Sequence, residues 1–531
     1  MAGNNGVIYT KKWVVKLVLD IAGYTSDLPL WKRVVVEPSC GHGSFVSEIV
    51  ERLIESAKRD GKFNANTLQN CVVCYELDEN SVTISHSIAK EILILNGMNH
   101  EEAEKLSSMW VIHGDYLLAD TVPCDYVIGN PPYLRATDIP AEAREKYCYQ
   151  LSAMTKGCDI FVGFIEKGIK SLQDKNGVLG FICADRWMQN QYGKKLRGLI
   201  SKKYHLDTIV RMHGIDAFET EVSAYPSIIR IDKLEGKIKY ADCKQAFSSD
   251  DAPELKMWLQ SGDSDYVGTN FSAMKLNSPK GTAMIPLSEP NKIKNILNLM
   301  NQFPSLEDSG VKLGIGLATG KDDVYIVKSP NLVEEERMLP MFNMRDWRRR
   351  GNTDSNWLVN PWNQDGSLVD LSDFPRLKLY FETHKSDITR RHVAKKNQKA
   401  WYRTIDKINW QILGAPMLLF PDMAMSADPV YSDGTRYPCH NCYWLVSDHW
   451  DIKVLGGLLM SDIAESFIDA LGVKMRGGTK RFQAQYLRLI HVPNPKDIPD
   501  ETAEELKLAF ETNDRAAASR AALVAYGLEG K

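Results

Sequence analysis

Four consecutive residues, Asn130-Pro131-Pro132-Tyr133, have the composition to handle a planar amine. Each proline fixes its φ and lacks an N–H, so the turn is stiff and presents acceptors rather than donors. The Asn130 side-chain oxygen and the Pro131 carbonyl can together bond both hydrogens of an amino group. Bonding both draws the nitrogen lone pair out of conjugation with its ring, and the nitrogen becomes a nucleophile. Tyr133 offers a face on which a base can stack. The turn follows Asp125-Tyr126-Val127-Ile128-Gly129, a run of strand type.

Three further constellations stand upstream. Glu37-Pro38-Ser39-Cys40-Gly41-His42-Gly43 follows a β-branched run and opens a helical pattern. Gly41 and Gly43 permit a tight turn and close approach of a ligand to backbone N–H groups. A carboxylate at Glu37 would repel a pyrophosphate and attract a cationic ligand. Glu76, ending the next run, can accept from both hydroxyls of a ribose, with Leu77 packing on an adenine. Gly114-Asp115-Tyr116 ends the third run: Asp115 can accept from an adenine amino group, and Tyr116 can stack on the ring. Three acids at three successive strand ends suit a nucleoside with an amino-acid tail, which describes S-adenosylmethionine.

Positioning these residues requires a particular order of elements. Strand-like runs at 32–38, 70–77, 109–115, 124–130, 177–184, 207–215 and 223–234 alternate with helical patterns at 43–58, 79–96, 158–173 and 193–203. That alternation predicts an α/β domain on a largely parallel sheet covered on both faces. Residues 236–310 read as irregular and polar, and after 311 the rhythm is lost. The division is therefore 1–240 as the catalytic domain, 241–310 as a connecting segment, 311–500 as a mixed α+β domain and 501–531 as a helical tail. The chain has 531 residues, 44% hydrophobic and 25% charged, an ordinary globular balance for two or three domains. It holds no apolar run of the roughly 18 residues that cross a bilayer, and its ten cysteines do not suggest a disulfide scaffold. These features predict a cytoplasmic protein. Net charge is -3, but Arg376–Arg403 holds nine Lys or Arg against Glu382 and Asp387, just after RDWRRR (345–350).

The order of motifs resembles the gamma-class N6-adenine DNA methyltransferases, the TaqI-type enzymes of restriction–modification systems, over about residues 6–235. The resemblance implies a class I S-adenosylmethionine-dependent fold with a Rossmann-like mixed sheet and a C-terminal target-recognition domain. It implies that Thr10, in Gly6-Val7-Ile8-Tyr9-Thr10, holds the methionine part, although the family has Pro where Lys11 stands. Glu37, Ser39, Gly41 and Gly43 match the methionine-binding turn, Glu76 the ribose acid, and Asp115 and Tyr116 the adenine-side pair. Asn130 to Tyr133 match the catalytic motif, with Asn130 also beside the cofactor. Phe218 takes the place of an aromatic residue that touches the extruded base. Residues 313–327, 341–350 and 474–487 resemble target-recognition domains more loosely, and Arg345, Arg348, Arg349, Arg390, Arg391, Lys395, Arg476 and Lys480 are the candidates for DNA contact.

The implied partner is double-stranded DNA, met by a monomer, with a separate restriction endonuclease acting on the same site. Other planar amines (cytosine N4, an RNA adenine, a protein glutamine) share the Asn-Pro-Pro-Tyr chemistry. The Thr10 segment and the long second domain favour DNA adenine, and the cytosine enzymes carry Ser where Asn130 stands. The pairs Cys71/Cys74 and Cys439/Cys442 have zinc-like spacing but no evident third and fourth ligands, so no metal is expected.

Overall fold

The computed structural model describes residues 8–173, 176–220, 225–262, 264–351, 355–473 and 478–529. These form two compact units, Met1–Ile293 and Lys294–Lys531.

In the first unit, β1 (Val35–Glu37), β2 (Val72–Glu76), β3 (Val111–His113), β4 (Tyr126–Gly129) and β5 (Val178–Ala184) run parallel. Strand β7 (Pro226–Asp232) inserts antiparallel between β5 and β6 (His205–Arg211). The order β3-β2-β1-β4-β5-β7-β6 is the mixed sheet of a class I methyltransferase. All seven residues of β5 are buried, as a central strand covered on both faces requires. Helix Ser44–Arg59 shows how the sequence builds these covers. It buries Phe45, Val46, Ile49, Val50, Leu53 and Ile54, a three–four spacing that turns one stripe toward the sheet. Each such side chain contributes about 1.5–3 kcal/mol.

Helix Lys12–Ala22 was not evident in the sequence. It packs against β4 and β5, burying Val14, Val15, Leu17, Val18 and Leu19, and stops at Gly23 with φ 77°. Its polar residues, Lys12, Lys16 and Asp20, recur every fourth position and keep the opposite face to solvent.

Residues 241–310 differ from the expected connecting segment. Strands β8 (Ile238–Cys243), β9 (Tyr266–Val267) and β10 (Phe271–Leu276) extend the sheet to ten strands, and the first unit runs on to Ile293. Strand β8 pairs parallel to β6, and β10 pairs antiparallel to β8. The strands are short and carry charges at Lys239, the buried Asp242 and Lys275, and the polar loops between them hide the alternation.

The second unit is mixed α+β. Its strands are β11 (Val311–Ile315), β12 (Ile326–Val327), β13 (Met338–Phe342), β14 (Trp357–Val359), β15 (Met417–Pro421), β16 (Met423–Ala424), β17 (Val430–Ser432), β18 (Tyr437–Pro438), β19 (Cys442–Ser447) and β20 (Lys480–Arg481). Two four-stranded sheets, β11-β19-β15-β17 and β12-β14-β13-β18, enclose its core, and β16 pairs with β20. The expected tail is helical, but it is packed rather than trailing. Helices Asp500–Glu511 and Arg515–Ala525 lie against each other and against Ile452–Met460, burying Leu506, Ala509, Ala518 and Ala522. No helix among the described residues is long and apolar enough to cross a membrane.

Candidate active site

The chain leaves β1 for β2 and β3 on one side and returns to β4 on the other. In open α/β sheets a ligand crevice forms where the order reverses, beyond the strand carboxyl ends. Glu37 ends β1 there, and Asn130 follows β4 directly.

Glu37 is fully buried. One carboxylate oxygen accepts from the Ser39 N–H at 3.2 Å, and the other has no partner. Burial above all holds this carboxyl well above its ordinary pKa; the Ser39 bond opposes that, and the charge of Glu76 adds to it. The carboxylate lies against Gly129, where a Cβ would stand 2.3 Å from Oε1. Only glycine leaves room for the acid.

The glycine turn comes next. Gly41 and Gly43 sit at φ 50° and 77°, in the left-handed region. The Gly41 N–H donates to Glu76 at 2.8 Å, and the Leu77 and Asp78 N–H groups donate to the other oxygen of the same carboxylate, at 2.8 and 3.0 Å. Glu76 is thus fixed by backbone at the mouth of β2. Leu77 beside it is 62% exposed, an apolar side chain left open at the crevice edge. Tyr9 and His42 stack at 4.4 Å over this turn, a contact that sequence reasoning missed. The position of Tyr9 beside Thr10 was the available signal.

Asn130 is held by the segment before the first helix. Its Nδ2 donates to the Ile8 carbonyl at 2.9 Å and to Thr10 Oγ1 at 3.1 Å. A carbonyl can only accept, so the amide orientation is fixed, and Oδ1 is left buried without a partner. Thr10 forms an isolated antiparallel bridge with Phe218, flanked by Lys11 N–H to the Ala217 carbonyl at 3.0 Å and Glu219 N–H to the Tyr9 carbonyl at 2.9 Å. Lys11 replaces the family's proline, and it gives an N–H that proline lacks. The bridge brings the Phe218 ring, 6% exposed and packed in the unit's core, 6.0 Å from that of Tyr133, edge-on at 78°. Ile8, Tyr9, Thr10, Ser39, Gly41, Asn130 and Pro132 line one crevice. Gly6 and Val7 lie outside the described residues.

Two predicted residues are placed differently. Asp115 accepts from the Leu117 N–H at 2.9 Å and from the buried Tyr147 hydroxyl at 2.7 Å, so neither oxygen stands unpartnered. Tyr116 turns inward, 5% exposed, stacked on Phe164 at 5.5 Å with Lys167 Nζ 5.0 Å from its ring. Its ring packs the core and presents no face to a ligand; its large apolar surface outweighs the one hydroxyl.

The donor set fits S-adenosylmethionine. A buried carboxylate without a counter-charge matches its ammonium, a backbone-fixed acid its ribose, and an open leucine its adenine. Taken with the sheet order, this makes the first unit that of an S-adenosylmethionine-dependent methyltransferase. Residues 51–218 match the Eco57I restriction-modification methylase family. The chain is 35% identical to the type II methyltransferase M.XhoI of Xanthomonas vasicola, over 99% of this chain and 98% of that protein. It is 36% identical to M.PaeR7I of Pseudomonas aeruginosa, over 98% and 92%. The chain belongs to the type II DNA methyltransferases of restriction–modification systems, and S-adenosylmethionine is its cofactor. Its fold is similar to that of the type IIL restriction-modification enzyme MmeI, solved in complex with DNA (TM-score 0.57, 13% identity, 98% of this chain, 74% of that one).

The candidate DNA-binding cations separate. Arg345, Arg348 and Arg349 lie exposed on helix Met344–Arg350, which is capped by the Asn343 side chain; Arg390 and Lys395 are exposed too. Arg391 is spent inside the unit. It donates to the carbonyls of Thr319, Trp401 and Arg403 and to the Tyr325 hydroxyl at 2.7–3.0 Å, and lies over the Tyr325 ring. Lys480, 15% exposed, is paired with Glu465 and Asp469. Both were chosen as parts of basic runs, a signal that cannot tell a structural cation from a surface one. Arg476 lies outside the described residues.

The cysteine pairs are free thiols. Cys439 and Cys442 both donate to Asn441 Oδ1, at 2.7 and 3.2 Å. Among the described residues the one grouping of three metal-type ligands is His205, Asp207 and Asp232. Arg230 stands 3.5–3.6 Å from both of its carboxylates and Lys239 3.7 Å from Asp207, so its negative charge is already met.

Proposed function

We propose that this methyltransferase acts on the exocyclic N6 of adenine in one short DNA sequence, as a monomer in the cytoplasm, protecting DNA from a separate endonuclease of the same specificity. The observation that carries this reading is the buried, unpartnered Asn130 Oδ1, aimed from an Asn-Pro-Pro-Tyr turn and flanked by the Tyr133 and Phe218 rings.

A target adenine inside a duplex must first be extruded, at a cost of a few kcal/mol. Stacking on Tyr133 and Phe218 offsets that cost. Asn130 Oδ1 and the Pro131 carbonyl then accept the two amino hydrogens and orient the nitrogen lone pair. Bound S-adenosylmethionine supplies an electrophilic methyl on a sulfonium. Glu37 holds the ammonium end, Glu76 the ribose, and Thr10, by fixing Asn130, joins the two subsites. The amine carries its own lone pair, so alignment and placed acceptors supply the rate. The exposed arginines of Met344–Arg350, with Arg390 and Lys395, neutralise phosphates in this reading.

The test is to incubate the protein with labelled S-adenosylmethionine and mixed genomic DNA, then digest to nucleosides. Label in N6-methyladenine is expected, and sequencing the modified DNA then gives the site. Label in N4-methylcytosine alone, or in RNA or protein alone, overturns the reading.

A further inference from the structure

The connection between β6 and β7 carries Phe218, and residues 221–224 of it lie outside the described residues. Asp185, the first residue after β5, meets both described roots of this connection. Its N–H donates to the Tyr225 carbonyl at 3.1 Å, and its carboxylate bonds His213 Nε2. The His213 ring also lies 4.6 Å from the ring of Tyr225. The tautomer follows from the neighbours. Arg211 Nε donates to His213 Nδ1 at 3.1 Å, so Nδ1 carries no proton and Nε2–H is the donor to Asp185. Arg211 in turn pairs with Asp242 on β8.

These side chains are almost fully enclosed: Asp185 6% exposed, Asp242 7%, Arg211 12%, His213 13%. Four ionisable groups enclosed together are expensive unless each is met, and a met network has one geometry. The amine chemistry uses none of them.

We propose that Asp185 and His213 are positioning residues that clamp the roots of the Phe218 connection and so fix where the Phe218 ring stands against that of Tyr133, the aromatic pair that meets an extruded base. The proposal rests on the reading of those rings as the walls of the base pocket. It assigns the Asp185–His213 bond, rather than the His213–Arg211 bond, as the decisive one.

Two volume-conserving substitutions separate the bonds. In His213→Gln the amide reaches the place of Nε2 and can still donate to Asp185. In His213→Asn it reaches only the place of Nδ1 and can still accept from Arg211. The probe is a duplex carrying the methylated sequence with 2-aminopurine at the target adenine, whose fluorescence rises when the base leaves the stack. We expect His213→Gln to keep the fluorescence rise and to turn over within about threefold of the parent. His213→Asn and Asp185→Ala should lose the rise and about 100-fold in kcat, with S-adenosylmethionine affinity by calorimetry unchanged. Retained affinity also shows that the variants fold. If Asn and Gln behave alike, or Asp185→Ala keeps parental kcat and fluorescence, the clamp is overturned while the adenine reading stands. If the parent enzyme gives no rise and no N6-methyladenine, both fall.

Discussion

In the first unit, Asn130 Oδ1, on the crevice wall, is buried without a partner, as are Glu37 Oε2 and the Tyr133 hydroxyl and several atoms elsewhere, such as Tyr116 Oη and Ser227 Oγ. In the second unit, Arg391 and Lys480 have their charges answered within the protein, while Arg345, Arg349, Arg390 and Lys395 are exposed and carry no ion pair among the described residues. An unmet buried polar group costs about 1–3 kcal/mol. Tolerating one on the crevice wall makes sense where a ligand completes it. A surface that meets DNA has the reverse signature, a surplus of solvated cations that costs nothing when the protein is alone. The proposed catalytic site is thus marked by what it lacks, and the proposed DNA-contacting surface by what it holds in excess.

The sharpest way to break this contrast is Asn130→Ala. Removing the unmet acceptor should lower kcat about 1000-fold, measured as methyl transfer under saturating substrates, with S-adenosylmethionine affinity nearly intact. A small loss would mean that the unpartnered oxygen has no part in the transfer.

Next comes Glu37. Its pKa is held well above the ordinary carboxylate value by burial, which favours the protonated form over the charged one until a cationic ligand arrives. Binding of S-adenosylmethionine should release a proton, and affinity should rise with pH until the unliganded carboxyl ionises. Calorimetry in buffers of different ionisation enthalpy reads the proton directly. Glu37→Gln should abolish the release and weaken binding about 10- to 100-fold. Gly129→Ala, which drives a Cβ into the same carboxylate, should weaken binding as well.

The second half of the contrast is tested by pairing Arg391→Ala with Arg345→Ala and Arg349→Ala. The first should cost about 2–3 kcal/mol of stability and leave the salt dependence of DNA binding unchanged. Each of the others should leave stability within about 0.5 kcal/mol and reduce the slope of log affinity against log salt by about 0.9.

The smallest effect is expected at His205, whose charges are met like those of Arg391. The Asp232 hydrogen bond, foremost, raises its pKa above the ordinary 6.5. A raised histidine adds stability that is fully present below about pH 6.5 and is lost as pH climbs through the folded value. Thermal melts of the parent protein should therefore gain on His205→Gln toward acid pH and lose that advantage at alkaline pH.

The residues that touch chemistry were mostly legible because their neighbours constrain them. Asn130-Pro131-Pro132-Tyr133 is a local device, and Glu37, Gly41, Gly43 and Glu76 sit at strand ends that the alternation locates. Tyr116 was misread because a motif gives an identity and not a side-chain direction; the core claimed the ring. Thr10 and Phe218 were named through family resemblance, and no local pattern shows that they pair across the sheet. Asp185 and His213 were invisible for the same reason, since their partners lie on different strands. Strands β8 to β10 escaped notice because they are short, carry charges and are joined by polar loops. In the second unit, sequence could count cations but could not see which ones Thr319, Tyr325, Glu465 and Asp469 had already claimed.

The contact between Gly129 and Glu37 constrains how such sequences drift. A methyl at 129 can be accommodated only if the acid at 37 shortens or moves, and either change retreats from the cofactor. Neither position can wander first without passing through a damaged enzyme. The two sites should therefore be inherited as one character, frozen together although distant in the gene.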